Sequence, residues 1–259
     1  MIVRLSPKNM LTLSRFHVPG LFLAMLLCIE LGRRLRHRAI AAHTDVPGAA
    51  AMQSAVFALF GLLLAFTFSG AMGRYDTHRQ LIVQEANAIG TAYLRLDLLP
   101  ADAQPALRQT FRDYTLLREQ TLLGNTGAID PTNQTGSLQK KIWKDSFAAA
   151  TRPGANSDAN KLLIPAIGSM MDITATRKNT FSMHPPAIIL ILLFSLACAS
   201  ALLAGFGMTG TKPSWLHSIV FAAVISLTIY TTLDIEDPTS GLVTLSGNQA
   251  FNDLLQTMH

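Results

Sequence analysis

Charge is what this chain has least of. Aspartate, glutamate, lysine and arginine make up 14% of its 259 residues, against about 25% in an ordinary soluble domain. A composition so poor in charge excludes a disordered polyelectrolyte, and a mean hydropathy of +0.31 places the chain among proteins that meet lipid. Cysteine is nearly absent as well. Cys28 and Cys198 both fall inside apolar runs, with neither disulfide-framework nor zinc-ligand spacing. The seven histidines are scattered. No G-x-S-x-G elbow and no H-E-x-x-H pair occurs. The run GFGMTGTK, starting at Gly205, falls short of a phosphate-binding loop because Lys212 does not directly follow the second glycine of the spacing. It also lies in a hairpin too short to supply the strand and helix such a loop needs. No cofactor, metal or catalytic constellation is therefore expected, and an enzyme is the least supported reading. The net charge of +5 could draw a soluble domain to nucleic acid. Here the basic residues crowd beside apolar runs, where lipid headgroups and topology account for them.

Apolar runs are what the chain does have. One extends from about Phe16 to Leu35 and is closed by GRRLRHR, a basic stop rather than a signal-peptide cleavage site. Glu30, near its end, is positioned to pair with Arg33 or Arg34, or to act as an acid inside the membrane. The others cover 54–73, 186–206 and 215–233, each long enough to cross about 30 Å of hydrocarbon. Residues 1–53 hold the first span and a short loop, 54–73 the second span, 185–233 the third and fourth, and 234–259 an acidic tail. The expected fold is all-α, with four transmembrane helices and a water-exposed helical domain, 74–184, inserted between spans two and three.

The stretch Ser54–Pro100 contains no helix breaker stronger than isolated glycines and predicts one helix that leaves the bilayer near Met72. Its membrane half repeats small residues at Gly61, Ala65, Ser69 and Gly73, spacing that lets another helix approach closely. The same device recurs at Ala197, Ala201 and Gly205 and at Ser218, Ala222 and Ser226. Packing within one bundle and a pore lined by these faces in an oligomer both fit. Beyond the membrane, Ile82, Ala86, Ile89, Tyr93 and Leu96 form an apolar stripe, while Asp76, Gln80, Gln84, Asn87, Thr91 and Arg95 form a polar one. Two helices follow, with caps expected at Asp102 and Ser137 and inward faces Leu107–Phe111–Tyr114–Leu117 and Leu138–Ile142–Phe147. GNTGAIDPTNQTG reads as the loop between them. A last helix from Ser157 turns Leu163, Ile167, Met170 and Thr174 inward.

Two groups of charges stand out. Asp234, Glu236 and Asp237 follow the fourth span and resemble either a solvated helix end or a hard-cation ligand set. Arg74, Asp76, Arg79, Glu85 and Arg95 surround the membrane exit, where they either hold the domain together through ion pairs or line an ion vestibule. Asp76 and Arg79 are spaced to pair. By charge density the short loops lie in the cytoplasm and the helical domain outside.

The residues 61–100 resemble the bacterial family of bestrophin-like domain proteins. The matching positions are Leu64 to Ser69, Arg74, Tyr75, the block Glu85 to Ala92, Leu94, Arg95 and Leu98 to Pro100. Further matches are Asp172 and Arg177 after Met170 or Met171, Pro185 and Pro186, and Leu233, Asp234, Pro238 and Gly241. Glu236 and Asp237 depart from the family pattern by replacing an acid and an arginine. The resemblance implies a multi-pass protein of a bacterial inner membrane, kinship with oligomeric anion channels, and a cytoplasmic helical domain, opposite to the charge count. The expected function is a homo-oligomeric ion channel or transport-type protein with lipid, further copies and an inorganic ion as partners. The alternative is a non-conducting scaffold or sensor whose helical domain binds a partner or lipid.

Overall fold

The computed structural model describes residues 7–41, 48–122, 131–181, 185–208, 215–236 and 248–258. Every regular element among them is helical: α1 Pro7–Ala41, α2 Ala49–Leu94, α3 Gln104–Leu122, α4 Pro131–Ala150, α5 Ser157–Phe181, α6 Ala187–Gly207, α7 Trp215–Glu236 and α8 Asn248–Thr257. Three of them are long and apolar enough to cross a membrane: α2, α6 and α7. The chain divides into two compact units, Met1–Arg74 with His184–Leu242 and Tyr75–Met183 with Val243–His259.

α2 is the long uninterrupted helix that the absence of breakers predicts. Its 46 residues correspond to about 70 Å of helix. It begins five residues before Ser54 and gives way to a 3-10 turn, Arg95–Leu98, ahead of Pro100. That change is the usual way a helix tightens as its carbonyls run out of partners before a proline.

In the first unit, Leu21, Met25 and Ile29 of α1 pack with Phe60 of α2, Leu193, Ala197 and Ala201 of α6, and Ala222 and Ile229 of α7. α1 and α6 approach each other closely. A methyl group built on Gly32 would lie 1.9 Å from the Leu202 carbonyl oxygen, and one on Gly205 would lie 2.0 Å from that of Ile29. Only glycine lets two backbones meet this way. Gly32 meets Leu202 and, one turn further along both helices, Arg36 stacks over Phe206. Partner positions thus rise together along both helices, which run parallel. Glu30 accepts hydrogen bonds from Arg33 Nε and Arg34 Nε, both at 2.9 Å, so the carboxylate is paired on its own helix.

In the second unit, Ile82, Ile89 and Tyr93 of α2 share a core with Phe111 and Tyr114 of α3, Ile142 of α4, Leu163, Ile167 and Met170 of α5, and Phe251 of α8. Several boundaries differ from the sequence reading. α4 starts at Pro131, whose ring is pre-set for a first helical turn; part of the expected loop is therefore helix, and Ser137 lies inside it, donating to Gln134 O at 2.8 Å instead of capping. Residues 124–130 of that loop lie outside the described residues. Phe147 is 47% exposed, and Ser146, Ala149 and Ala150 take the inward positions. α3 starts at Gln104, and the Asp102 carboxylate accepts from Arg152 Nη1 at 2.6 Å. The guanidinium holds that carboxyl below its usual range.

The end of the chain is the largest departure. Within the expected acidic tail, Asn248–Thr257 forms α8. Its Phe251 is fully buried, and Leu254 packs where Gly90 leaves room. The Met258 carbonyl accepts from Arg112 Nη2.

Candidate functional site

Glu85 opens the EANAIGTA block, one turn from Ile82 and Ile89 on the inward face of α2. A carboxylate on such a face is removed from water by the same packing that buries its neighbours, and must be paired to remain charged. Its side chain has no exposed surface. Arg118, on the inward stripe of α3, donates from Nε to Glu85 Oε1 at 2.6 Å, with Nη2 at 3.5 Å from Oε2. Arg177 of α5 brings Nη1 to 2.5 Å from Glu85 Oε2 as an ion pair off hydrogen-bond alignment. The two guanidinium side chains are 8% and 6% exposed.

A polar relay extends from this group. Thr174 Oγ1 donates to Glu85 Oε1 at 3.1 Å, lies 2.9 Å from the Tyr114 hydroxyl, and Gln139 Nε2 donates to that hydroxyl at 3.1 Å. Four helices, α2 to α5, thereby meet in one buried network. Burial raises the Tyr114 hydroxyl above its ordinary value, so it stays protonated. Burial also lowers Arg177, to about 10, against the pull of Glu85 and with the help of Arg118. That value remains well above neutrality, so the cluster holds one carboxylate against two guanidinium ions. Its chemistry is electrostatic fastening.

Tyr114→Phe removes the hydroxyl that links Thr174 to Gln139 and leaves both side chains short of a partner. It should lower stability by about 1–2 kcal/mol, read as a shift in the denaturation midpoint; an unchanged midpoint would show that the relay contributes nothing.

The other charges near the expected membrane exit are not gathered into one vestibule. Arg74 pairs with Glu236, with Nε at 3.0 Å from Oε2. Asp76, Arg79 and Asn87 point outward from α2, and no ion pair joins Asp76 to Arg79. Arg95 Nη1 donates to Leu162 O at 2.6 Å. Asp172 is exposed on α5, five residues before the buried Arg177. Asp234 is buried in the last turn of α7, which runs past Leu233 to Glu236. Asp237 lies outside the described residues. Among the described residues, no three His, Cys, Asp or Glu side chains converge as a metal site would require.

The small-residue stripes separate into two kinds. Ala197, Ala201 and Gly205 are buried, as are Ser218, Ala222 and Ser226. Gly61, Ala65, Ser69 and Gly73 all face outward, and this face continues through Asp76, Gln80, Gln84, Asn87 and Thr91. Packing within the chain therefore accounts for the first two stripes and leaves the α2 stripe exposed among the described residues.

Arg118 escaped the sequence reading. Its signal was there: it stands one helical turn after Tyr114 on the stripe of Leu107, Phe111 and Tyr114, where a cation needs a buried partner.

A search of curated protein sequences found no match. Among solved structures, the chain resembles crystal structures of a bacterial bestrophin homologue from Klebsiella pneumoniae. One variant aligns at 14% identity with a TM-score of 0.75, covering 95% of this chain and 96% of that one. The structure phased on zinc aligns at 14% identity and 0.73, covering 93% and 97%. Another variant aligns at 15% identity and 0.69, also covering 93% and 97%. Identities this low establish a shared fold. The family is carried by sequence: the Bestrophin-like domain matches residues 20–249. Glu85, Arg118 and Arg177 all lie within the matched span, and the chain belongs to the Bestrophin-like domain family of membrane proteins.

Proposed function

We propose that this chain is one subunit of a homo-oligomeric ion channel in a bacterial inner membrane, with α2 at the contact between subunits and along the ion path. The observation that carries it is the outward face of α2. Nine positions from Gly61 to Thr91 stay exposed along one side of the helix, small in the apolar half and polar beyond it. A helix facing only lipid has no need of glycine and serine every fourth residue; such a stripe serves the close approach of another helix. Among the described residues no helix of the same chain covers it, which supports a second copy as the partner. The fold shared with bestrophin homologues supports the same reading.

In this arrangement α1, the first half of α2, α6 and α7 are the four spans, and the second unit is the inserted water-exposed domain. The parallel course of α1 and α6 supports it, because a chain returning to the same direction must have crossed back in between. Reporter fusions after His259 decide which side holds the domain, cytoplasmic by kinship or external by charge density.

Oligomeric state in mild detergent and ion flux in liposomes test the proposal together. A folded protein that is monomeric, or that conducts under no ion or voltage, overturns it and leaves the non-conducting scaffold. Arg79 is exposed on α2 and, if it faces the path, contributes a ring of positive charge favouring anions. Arg79→Glu should shift the anion-to-cation permeability ratio toward cations several-fold, measured as a reversal-potential shift. An unchanged ratio in a conducting variant removes Arg79 from the path.

A further inference from the structure

The only two cysteines in 259 residues occupy matching positions on α1 and α6, one turn before the Gly32–Leu202 contact. Cys28 belongs to α1 and Cys198 to α6, and both pack at the edge of the same apolar cluster. They lie one turn before Gly32 and Leu202, where the two backbones approach so closely that a methyl group would not fit. A disulfide needs Cβ atoms about 4 Å apart, nearer than most facing positions on packed helices. The glycine contact supplies this close approach: Gly32 meets Leu202 and Arg36 stacks over Phe206, and the same register one turn earlier sets Cys28 opposite Cys198. Both cysteines are partly open at the surface of the single chain.

We propose that Cys28 and Cys198 form a redox pair, which a lipid-soluble oxidant of the quinone class closes into a disulfide joining α1 to α6. The apolar surroundings select the oxidant: charged, water-soluble disulfides and thiolates do not partition into hydrocarbon, whereas a quinone does. The reaction balances. The two S–H bonds break, one S–S bond forms, and two electrons with two protons pass to the quinone, which leaves as hydroquinone. In the open state α1 and α6 are held by non-covalent contacts; in the closed state they cannot separate. The proposal rests on α1 and α6 lying in lipid and is independent of whether the protein conducts.

The test uses the full chain in liposomes, treated with a fully substituted short-chain quinone, then denatured and labelled with a maleimide. Untreated chains should take up two labels and treated chains none, with both restored by dithiothreitol. Peptide mapping should recover a Cys28–Cys198 link within one chain, and the closed form should melt roughly 5 °C higher, because the cross-link closes a long loop. Cys28→Ser should keep its single label after quinone treatment. Two labels remaining on folded protein after quinone treatment overturns the proposal, even if copper phenanthroline closes the pair. A quinone-dependent dimer of Cys28→Ser overturns it equally, since the thiols would then be meeting between copies.

Discussion

Glu85→Ala is expected to destabilise the helical unit by about 3–5 kcal/mol, since removing one partner of a buried ion pair leaves the other uncompensated. Here two guanidinium ions, Arg118 and Arg177, would lose their shared counter-ion. They would also repel each other, and Thr174 would lose an acceptor. The corresponding fall in melting temperature is roughly 10–20 °C for a unit of this size, measurable by size-exclusion chromatography after heating. A fall of only a degree or two would show that the charges reach water or another partner. Two further variants separate charge from folding. Glu85→Gln keeps the shape and loses the charge, so it should be nearly as damaging. Changing Glu85 to Gln with Arg118 and Arg177 both to Met should recover much of the loss, because apolar replacement of a whole buried cluster is often tolerated.

Gly205→Ala is expected to force α1 and α6 apart. The added methyl carbon would stand 2.0 Å from the Ile29 carbonyl oxygen, more than an ångström inside contact distance, and the obstacle is backbone that no rotamer change can move. Overpacking of this kind costs about 3 kcal/mol or more when the helices must shift. The measurements are the thermal transition in detergent and the yield of the Cys28–Cys198 link, both of which should fall. Gly61→Ala is the control, since a methyl group there meets nothing within 4 Å in the single chain. It should leave the melting of the isolated subunit unchanged. Equal loss in both variants would mean that the close contact has no special role.

The helices and their inward faces were legible because they rest on local rules. The runs at 186–206 and 215–233 needed only length and apolarity. The stripes through Ile82, Phe111 and Ile167 needed only the helical period. α8 was missed because Asn248–Thr257 follows a polar, turn-rich stretch and buries only a few residues, among them Phe251. Ser137 misled because a serine before an apolar residue looks like a cap whether or not Pro131 has already begun the helix. Glu85 was picked out as part of a charged group at the membrane exit, yet its partners come from α3 and α5, far off in sequence. No spacing rule connects residue 85 with residues 118 and 177.

Three similar small-residue stripes had different outcomes for the same reason. Spacing every fourth residue determines that a helix has a close-packing face, and that much was present in the chain for α2, α6 and α7. Which faces find partners within one chain depends on where the other helices lie. α6 meets α1 through Gly32 and Gly205, while α2 keeps Gly61, Ala65, Ser69 and Gly73 outward. The sequence by itself determined the long unbroken helix, the membrane character and the family. Only the tertiary structure decided that Glu85 is a buried fastening between two arginines, that α1 and α6 set the two cysteines in one register, and that the α2 stripe is exposed among the described residues. The physical reason is that helix formation and burial period are local properties, whereas charge pairing and backbone contact are set by residues the chain brings together only when it folds.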